Sequence, residues 1–202
     1  MTCEILEINP VHPQPHRITR IVNAIKDGGI VAFPTDSTYG IGCDLYKKQS
    51  VDLLYQLKKR DKRKPFSFLC ADLADLAKYA KVSNQAYKMM RKLTPGPFTF
   101  VLDATRLVPK ILRTKRYTVG IRVPDNPICH EIIKGLGEPI ISTTAKSSDD
   151  EFLADPWEIR EVYGDRLAYI VDGGPVLPRL TTVVDMTSSE FEIIRQGIGE
   201  FI

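Results

Sequence analysis

Hydroxyl-bearing and glycine residues crowd one short stretch, residues 34–42, with the sequence PTDSTYGIG. We interpret it as a loop that leaves a buried strand. Such a loop offers hydroxyls and backbone N–H groups, which bind anions and small polar ligands. More hydroxyls follow at residues 142–144 (STT) and 181–182 (TT). These segments predict a polar cavity.

Two arginines stand at the ends of β-rich runs. Arg122 precedes a Val-Pro pair, and Arg195 precedes a Gln-Gly pair. The planar fork of an arginine side chain suits a carboxylate or a phosphate. Together with the hydroxyl-rich segments, the two arginines favour a cavity for an anionic ligand.

The run 58–64 reads KKRDKRK, so six of its seven residues are basic. It begins at the predicted C-terminal end of a helix, where positive side chains meet the negative end of the helix dipole. One helix end does not need six cations that repel one another. An anionic partner such as a phosphate or an RNA explains the run better.

Several familiar motifs are absent. There is no G-x-x-x-x-G-K-[ST] phosphate loop, and Leu45 stands where a dinucleotide fingerprint needs its third glycine. Lys134 replaces the second histidine of an H-E-x-x-H zinc motif that would begin at His130. Only three histidines occur, so we expect no metal site in the protein and no Ser-His catalytic pair.

The elements that must position these residues follow from apolar spacing and from caps. Isoleucine and valine at i, i+3, i+4 and i+7 predict a helix over Pro15–Asp27. Further helices are predicted over Gln49–Arg60, after Ser83, over Pro127–Leu136 and after Asp155. Helices alternate with short β-rich runs, some of them adjacent late in the chain. We therefore predict an α/β (α+β) fold with a mixed parallel and antiparallel sheet. The predicted strands are Ile30–Phe33, Phe66–Cys70, Phe98–Asp103, Thr118–Val123, Ile140–Thr143, Leu167–Val171, Val183–Met186 and Phe191–Arg195.

The 202 residues are 43% hydrophobic and 26% charged, which is typical of a folded globular protein. No repeat or linker divides the sequence, so we expect one domain over residues 1–202. No apolar stretch is long enough to cross a membrane, and the N-terminus lacks the apolar region of a signal peptide. The four widely spaced cysteines are typical of reduced thiols, so we expect a cytoplasmic protein.

Charge is divided unequally along the chain. Residues 1–120 hold 21 basic and 10 acidic groups, whereas residues 121–202 hold 7 basic and 15 acidic groups. One surface or cleft can therefore be strongly positive although the net charge is only +3.

In this order and spacing, the motifs resemble the YrdC family, whose best-known members make threonylcarbamoyl-adenylate for the tRNA modification t6A. The resemblance runs from about Ile18 to Gly197. The segments that carry it are 34–40 (PTDSTYG), 58–60 (KKR), 64–65 (KP), 95–99 (PGPFT), 122–124 (RVP), 172–174 (DGG), 181–185 (TTVVD) and 195–197 (RQG). It implies a twisted sheet that helices flank around a positively charged cavity.

The resemblance also implies roles for single residues. Lys58 and Arg60 match the family pair that grips the nucleotide phosphates and the carboxylated amino acid, so we predict them to be catalytic. We place Thr35, Arg122, Ser142 and Thr181 on the side of L-threonine and bicarbonate, and Lys58, Thr118, Thr144 and Arg195 on the side of the nucleotide. Lys59, Lys62, Arg63 and Lys64 are predicted to bind RNA.

The implied reaction joins L-threonine, bicarbonate and ATP and releases pyrophosphate. Mg²⁺ would accompany the nucleotide, and no tightly bound organic cofactor is expected. The partners would be these three substrates, with tRNA or double-stranded RNA as a further partner and no membrane. Catalysis would consist of positioning and electrostatic stabilisation, which suits a sequence without an evident nucleophile.

One departure from the family pattern leaves alternatives open. The synthases carry S-x-N where this chain has Thr144-Ala145-Lys146. Lysine in place of asparagine removes a hydrogen-bond acceptor and adds a positive charge. This pattern is more like the YciO branch. The protein is therefore expected to be a synthase, or a YciO-type paralogue without efficient synthase activity that binds double-stranded RNA or tRNA or acts on the finished adenylate.

Overall fold

The computed structural model describes residues 3–59 and 66–201. Helices and strands alternate along this part of the chain. The helices are α1 (Pro15–Lys26), α2 (Lys48–Leu57), α3 (Leu73–Tyr79), α4 (Asn84–Leu93), α5 (Pro127–Leu136) and α6 (Pro156–Tyr163). The strands are β1 (Glu4–Glu7), β2 (Val31–Pro34), β3 (Tyr39–Asp44), β4 (Ser67–Leu69), β5 (Ala80–Lys81), β6 (Phe98–Ala104), β7 (Thr118–Arg122), β8 (Ile140–Thr144), β9 (Tyr169–Asp172), β10 (Thr182–Asp185) and β11 (Glu192–Arg195).

The strands form one mixed sheet in the order β1-β9-β2-β3-β8-β4-β7-β6-β10-β11, with β5 attached to β6. Its parallel pairs are β1–β9, β2–β9, β4–β7 and β6–β10. The predicted α/β class with a mixed sheet is confirmed. Strands from the two ends of the sequence are neighbours in the sheet, so their side chains meet on its faces.

An apolar core lies on each face of the sheet. On one face, α1 and α5 cover β2 and β3, and the four isoleucine and valine side chains predicted for the inner side of α1 are buried. On the other face, buried side chains of α2, α3, α4 and α6 pack on the alternate residues of the strands. Helices and sheet thus form three layers.

The helical layer of α1 and α5 covers only part of its face, since its main contacts are with β2 and β3. Further along the same face, β4, β6 and β7 present Ser67, Thr99, Gly120 and Arg122. Successive side chains of a strand point to opposite faces, so one strand can be apolar towards the core and polar towards this open region. The open part of the sheet is therefore the place for a site.

Two sequence predictions about local structure are wrong. The helix predicted over Gln49–Arg60 ends at Leu57, because Lys59 has a φ of 45°, outside the right-handed helical region. The stretch interpreted as a loop becomes strand β3 from Tyr39 onwards. Its residues Tyr39, Ile41 and Cys43 alternate with glycines and are fully buried, which is typical of a strand.

Candidate functional site

A polar cavity of about 380 Å³ lies against the open part of the sheet, and we call it the inner cavity. Small residues make room for it: a Cβ atom on Gly40 would stand 2.8 Å from the Ser142 hydroxyl oxygen. Its lining includes Thr35, Ser37, Thr38, Gly40, Ser67, Thr99, Thr114, Thr118, Gly120, Arg122, Ser142, Thr143, Thr144, Arg179, Leu180, Thr181 and Arg195. Most lining side chains therefore carry a hydroxyl or a guanidinium group, and Phe66, Leu69, Val101 and Val183 add apolar surface.

The turn between β2 and β3 is built around the Thr35 hydroxyl. It accepts hydrogen bonds from the backbone N–H groups of Ser37 and Thr38, both at 3.2 Å, and donates to the Thr38 carbonyl at 2.7 Å. These contacts use the donor and both acceptor positions of a hydroxyl. Thr35 lies at the inner cavity and shapes it, and its contact with L-threonine stays a prediction.

Arg122 is held at the end of β7 by this turn. Its guanidinium donates to the Ser37 hydroxyl at 2.9 Å and forms an ion pair with Asp36. The Arg122 side chain is buried and that of Asp36 is largely buried, with exposed fractions of 8% and 12%. Burial lowers the pKa of Arg122, and the charge of Asp36 opposes that change. Arg122 thus enters the cavity wall with a fixed orientation.

Arg195 reaches the same cavity from β11. Its side chain donates to the Thr181 carbonyl at 2.9 and 3.1 Å and to the Thr181 hydroxyl at 3.0 Å, and that hydroxyl lies 3.2 Å from the hydroxyl of Thr99. The pKa of Arg195 is lowered by burial and then by the positive charge of Arg122. Two guanidinium groups in one small cavity repel each other, and an anion between them would relieve that repulsion.

A second cavity of about 920 Å³ adjoins the first, and we call it the outer cleft. The two cavities share Thr143, Thr144, Leu180 and Arg195. Its other lining residues are Leu57, Lys58, Lys59, Lys146, Ser147, Ser148, Asp150, Val162, Tyr163 and Arg166. A ligand can therefore extend from the hydroxyl-rich inner cavity into a strongly basic cleft.

Tyr163 of α6 connects two lysines of the outer cleft. The Lys58 ammonium donates to the Tyr163 hydroxyl at 2.8 Å, and that hydroxyl donates to the Lys146 carbonyl at 2.6 Å. Burial raises the pKa of Tyr163. Lys58 lines the outer cleft and does not line the inner cavity.

Lys146 occupies the position that is asparagine in the S-x-N pattern of the synthases. Its ammonium also lines the outer cleft. It pairs with Asp150 at 2.9 Å and lies 4.5 Å from the centre of the Phe152 ring. Lys146 holds the pKa of Asp150 below its usual value through this hydrogen bond and its charge, with a smaller contribution from Lys58. The added charge of the lysine is therefore partly neutralised by an exposed carboxylate.

The predicted site residues that lie within the described part of the chain all line the inner cavity or the outer cleft. The inner cavity takes Thr35, Thr118, Arg122, Ser142, Thr144, Thr181 and Arg195, and the outer cleft takes Lys58, Lys59, Thr144 and Arg195. Thr118, which we predict to bind the nucleotide, lines the inner cavity, where its hydroxyl lies 2.9 Å from that of Thr114, and its role stays a prediction. Arg60, Lys62, Arg63 and Lys64 fall outside the described residues, so their roles stay predictions.

The sequence does not indicate several residues of the site. Asp36 and Ser37 belong to the motif at residues 34–40, but nothing in the sequence links them to Arg122. Arg179 lines the inner cavity and is anchored by its backbone N–H, which donates to the Ser37 carbonyl at 2.8 Å. Tyr163 was predicted only as a residue of a helix. None of these contacts has a local sequence signature, since each joins distant segments.

The outer cleft does not suit a metal ion held by protein ligands. Mg²⁺ prefers carboxylate and water oxygens, and among the described residues Asp150 is the only carboxylate that lines the cleft. Residues 3–59 and 66–201 contain no group of three or more His, Cys, Asp or Glu side chains placed to hold a metal. Nor does any helix in these ranges have the length and apolarity needed to span a membrane.

Fold and site together define an α/β protein with a positively charged cavity on the open face of a mixed sheet. The chain belongs to the Sua5/YciO/YrdC family, whose family model, described as telomere recombination, matches residues 23–197. The resemblance drawn from the motifs is thereby confirmed.

Similar proteins include an uncharacterised protein and a named synthase. An uncharacterised protein of Haemophilus influenzae is 38% identical over 95% of this chain and 94% of its own length. A threonylcarbamoyl-AMP synthase of Nitrosococcus oceani is 30% identical over 78% of this chain and 85% of its own length.

Two solved structures share the fold. Escherichia coli YciO is 34% identical, with a TM-score of 0.94 over 99% of this chain and 100% of that one. Sua5 of P. abyssi in complex with L-threonine is 26% identical, with a TM-score of 0.89 over 96% of this chain and 57% of the longer Sua5 chain.

Proposed function

We propose that the protein binds L-threonine in the inner cavity and ATP in the outer cleft, and that it forms threonylcarbamoyl-AMP from them and bicarbonate. The observation that carries the proposal is the pair of arginines, Arg122 and Arg195, in one small hydroxyl-rich cavity that opens onto a basic cleft. The named synthases of the family and the threonine complex of Sua5 support the choice of substrates. The product would serve the t6A modification of tRNA.

The reaction needs two bonds to form. The threonine ammonium group first loses a proton, and the resulting amine bonds to the carbon of bicarbonate while the C–OH bond of bicarbonate breaks and water leaves. The new carbamate oxygen then bonds to the α-phosphorus of ATP, while the bond from that phosphorus to pyrophosphate breaks. Arg122 would bind the threonine carboxylate, and Arg195 would stabilise charge on the carbamate and the α-phosphate. Lys58 would bind the phosphates, so the chain supplies positioning and charge and no covalent intermediate.

Mg²⁺ enters this proposal only as part of the MgATP substrate. The carboxylate-poor cleft does not fit a resident metal, so no step passes through one. No organic cofactor is needed, because ATP supplies the leaving group.

The direct test is pyrophosphate release from ATP and bicarbonate with and without L-threonine. We expect release that depends on threonine and that is lost in Arg122→Met. Arg20→Met is the matched control, because Arg20 is a half-exposed arginine that pairs with Glu4 on another part of the surface. Release without threonine, or no release from folded protein, would contradict synthase activity.

A second candidate is a YciO-type protein that acts on or binds the finished adenylate without making it efficiently. Lys146 in the outer cleft favours this candidate, since the synthase pattern has a neutral asparagine there. Threonylcarbamoyl-AMP that binds to folded protein in the absence of pyrophosphate release would support it.

RNA is the remaining candidate partner. Lys59 is exposed at the outer cleft and continues into the basic run. If double-stranded RNA or tRNA binds there, its affinity should fall steeply with salt, because phosphate contacts release counterions. Binding that is absent or insensitive to salt would exclude this partner.

A further inference from the structure

The outer cleft carries a large excess of positive charge. Its described lining contains five basic side chains, those of Lys58, Lys59, Lys146, Arg166 and Arg195, and one acidic side chain, that of Asp150. A cleft of this composition attracts polyanions. Among the described lining residues, Asp150 is therefore the carboxylate that lowers the positive charge a ligand meets.

A short hairpin places Asp150 on Lys146. Lys146 and Phe152 form an isolated antiparallel bridge, and the Ser147 N–H donates to the Glu151 carbonyl at 2.8 Å, which closes the turn. Asp150 lies at the tip with a φ of 67°, a left-handed conformation that aspartate tolerates better than most residues. The turn thus directs the carboxylate back onto the lysine.

The two partners of this ion pair differ in how firmly they are held. The Lys146 side chain is 23% exposed and lies over the Phe152 ring, whereas the Asp150 side chain is 84% exposed. Asp150 can therefore swing into solvent while the lysine remains in the cleft. Exposed ion pairs contribute little free energy, so a ligand with several negative charges can replace the carboxylate at small cost.

We propose that Asp150 is a displaceable counter-ion that occupies the anion position on Lys146 in the free protein, and that a polyphosphate takes this position when it binds. Lys146 then becomes a phosphate ligand of this chain, next to the Lys58–Tyr163 contact. The proposal deepens the proposed function by naming the polyphosphate end of the nucleotide as the group that Lys146 binds, and to that extent it rests on it.

The test uses inorganic tripolyphosphate as the probe and calorimetric titration at low ionic strength. Asp150→Asn removes the competing charge, and we expect it to raise tripolyphosphate affinity about two- to fivefold, the range that the free energy of an exposed ion pair corresponds to. Glu151→Gln is the matched control, because it removes the same charge from the same turn but leaves the Lys146–Asp150 pair intact. We expect a smaller change from it.

A double variant identifies the lysine as the mediator. In Lys146→Asn, the affinity should fall, and adding Asp150→Asn should no longer raise it. Equal gains in Asp150→Asn and Glu151→Gln, no gain in either, or no tripolyphosphate binding at all would overturn the proposal. Threonine-dependent pyrophosphate release is measured separately, so failure here and failure of the proposed function give different results.

Discussion

At the scale of single residues, the buried pair of Asp36 and Arg122 combines folding with recognition. Taking two charges out of water is expensive, and apolar replacements of such pairs are often equally stable. Among the described residues, Arg122 Nε and Asp36 Oδ2 are buried without hydrogen-bond partners. The pair is therefore poorly optimised for stability, which is consistent with a role for Arg122 in ligand binding.

Asp36→Asn should lower the free energy of unfolding by about 3 kcal/mol, because it leaves the Arg122 charge buried without its counter-charge. Urea denaturation measures the loss. The double variant Asp36→Asn/Arg122→Met should recover most of the stability, since it removes the stranded charge, but it should not bind L-threonine. A double variant that is no more stable than Asp36→Asn would contradict this account.

Tyr163→Phe should weaken ATP binding about five- to tenfold, because the Lys58 ammonium loses a hydrogen-bond acceptor that orients it. Titration with ATP measures the change. Tyr46→Phe removes a tyrosine hydroxyl that lies 3.3 Å from Tyr79, away from both cavities, and should leave ATP affinity unchanged. Equal effects in the two variants would show that the Tyr163 hydroxyl does not position Lys58 for ATP binding.

At the scale of elements, sequence patterns located helices better than they located glycine-rich strands. The helix over Pro127–Leu136 was predicted with its observed bounds, because a proline begins it and Gly137, with a φ of 79°, ends it. Ser83 caps α4 as predicted and accepts a hydrogen bond from the Ala86 N–H at 3.1 Å. Strand β3 was missed because its glycines resemble a loop.

Local alternation predicts the site only along single strands, and the residues on other segments were predicted from the hydroxyl-rich stretches, the two arginines and the family resemblance. Alternation along β7 places Thr118, Gly120 and Arg122 on one face, so a polar strand face is visible in the sequence. The pairing of Asp36 with Arg122 spans 86 residues, and no local pattern encodes it. It exists because the sheet brings the turn after β2 close to the end of β7.

Glycines in two strands provide a matched pair of tests for the cavity. A Cβ atom on Gly120 would meet Thr99 Cγ2 at 3.5 Å and Ser67 Oγ at 3.7 Å, which are ordinary contacts on the cavity wall. Gly120→Ala should therefore fold normally but bind L-threonine about tenfold more weakly, because a methyl group enters the cavity. Titration with L-threonine and thermal denaturation measure the two effects.

Gly40→Ala is the second member of the pair. Its Cβ atom would lie 2.8 Å from Ser142 Oγ and 3.3 Å from the Phe33 ring, so it should lower both stability and threonine affinity. If Gly120→Ala bound L-threonine as tightly as the unchanged protein, the inner cavity would not be the threonine site.

At the scale of the whole molecule, the positive charge of the two cavities comes from both parts of the chain, because the fold brings distant segments together. The sequence predicted one positive region from the basic first part of the chain. The cations of the two cavities nevertheless include Lys146, Arg166, Arg179 and Arg195 from the acidic second part. Because strands from both parts alternate in the sheet, the cavities collect positive side chains from the entire fold.

Occupation of both cavities should therefore stabilise the entire molecule. A ligand that binds only the folded state at 100 times its Kd adds about 2.7 kcal/mol, which corresponds to a rise in Tm of about 5–10 °C for a chain of this size. We expect L-threonine and ATP together to approach this rise, as measured by thermal denaturation. L-valine, which has the shape of threonine without its hydroxyl, should raise Tm less, because the hydroxyls of the inner cavity would lose a partner. Equal rises with valine and threonine would assign the inner cavity to a carboxylate alone, and no rise at millimolar ligand would contradict the proposed substrates.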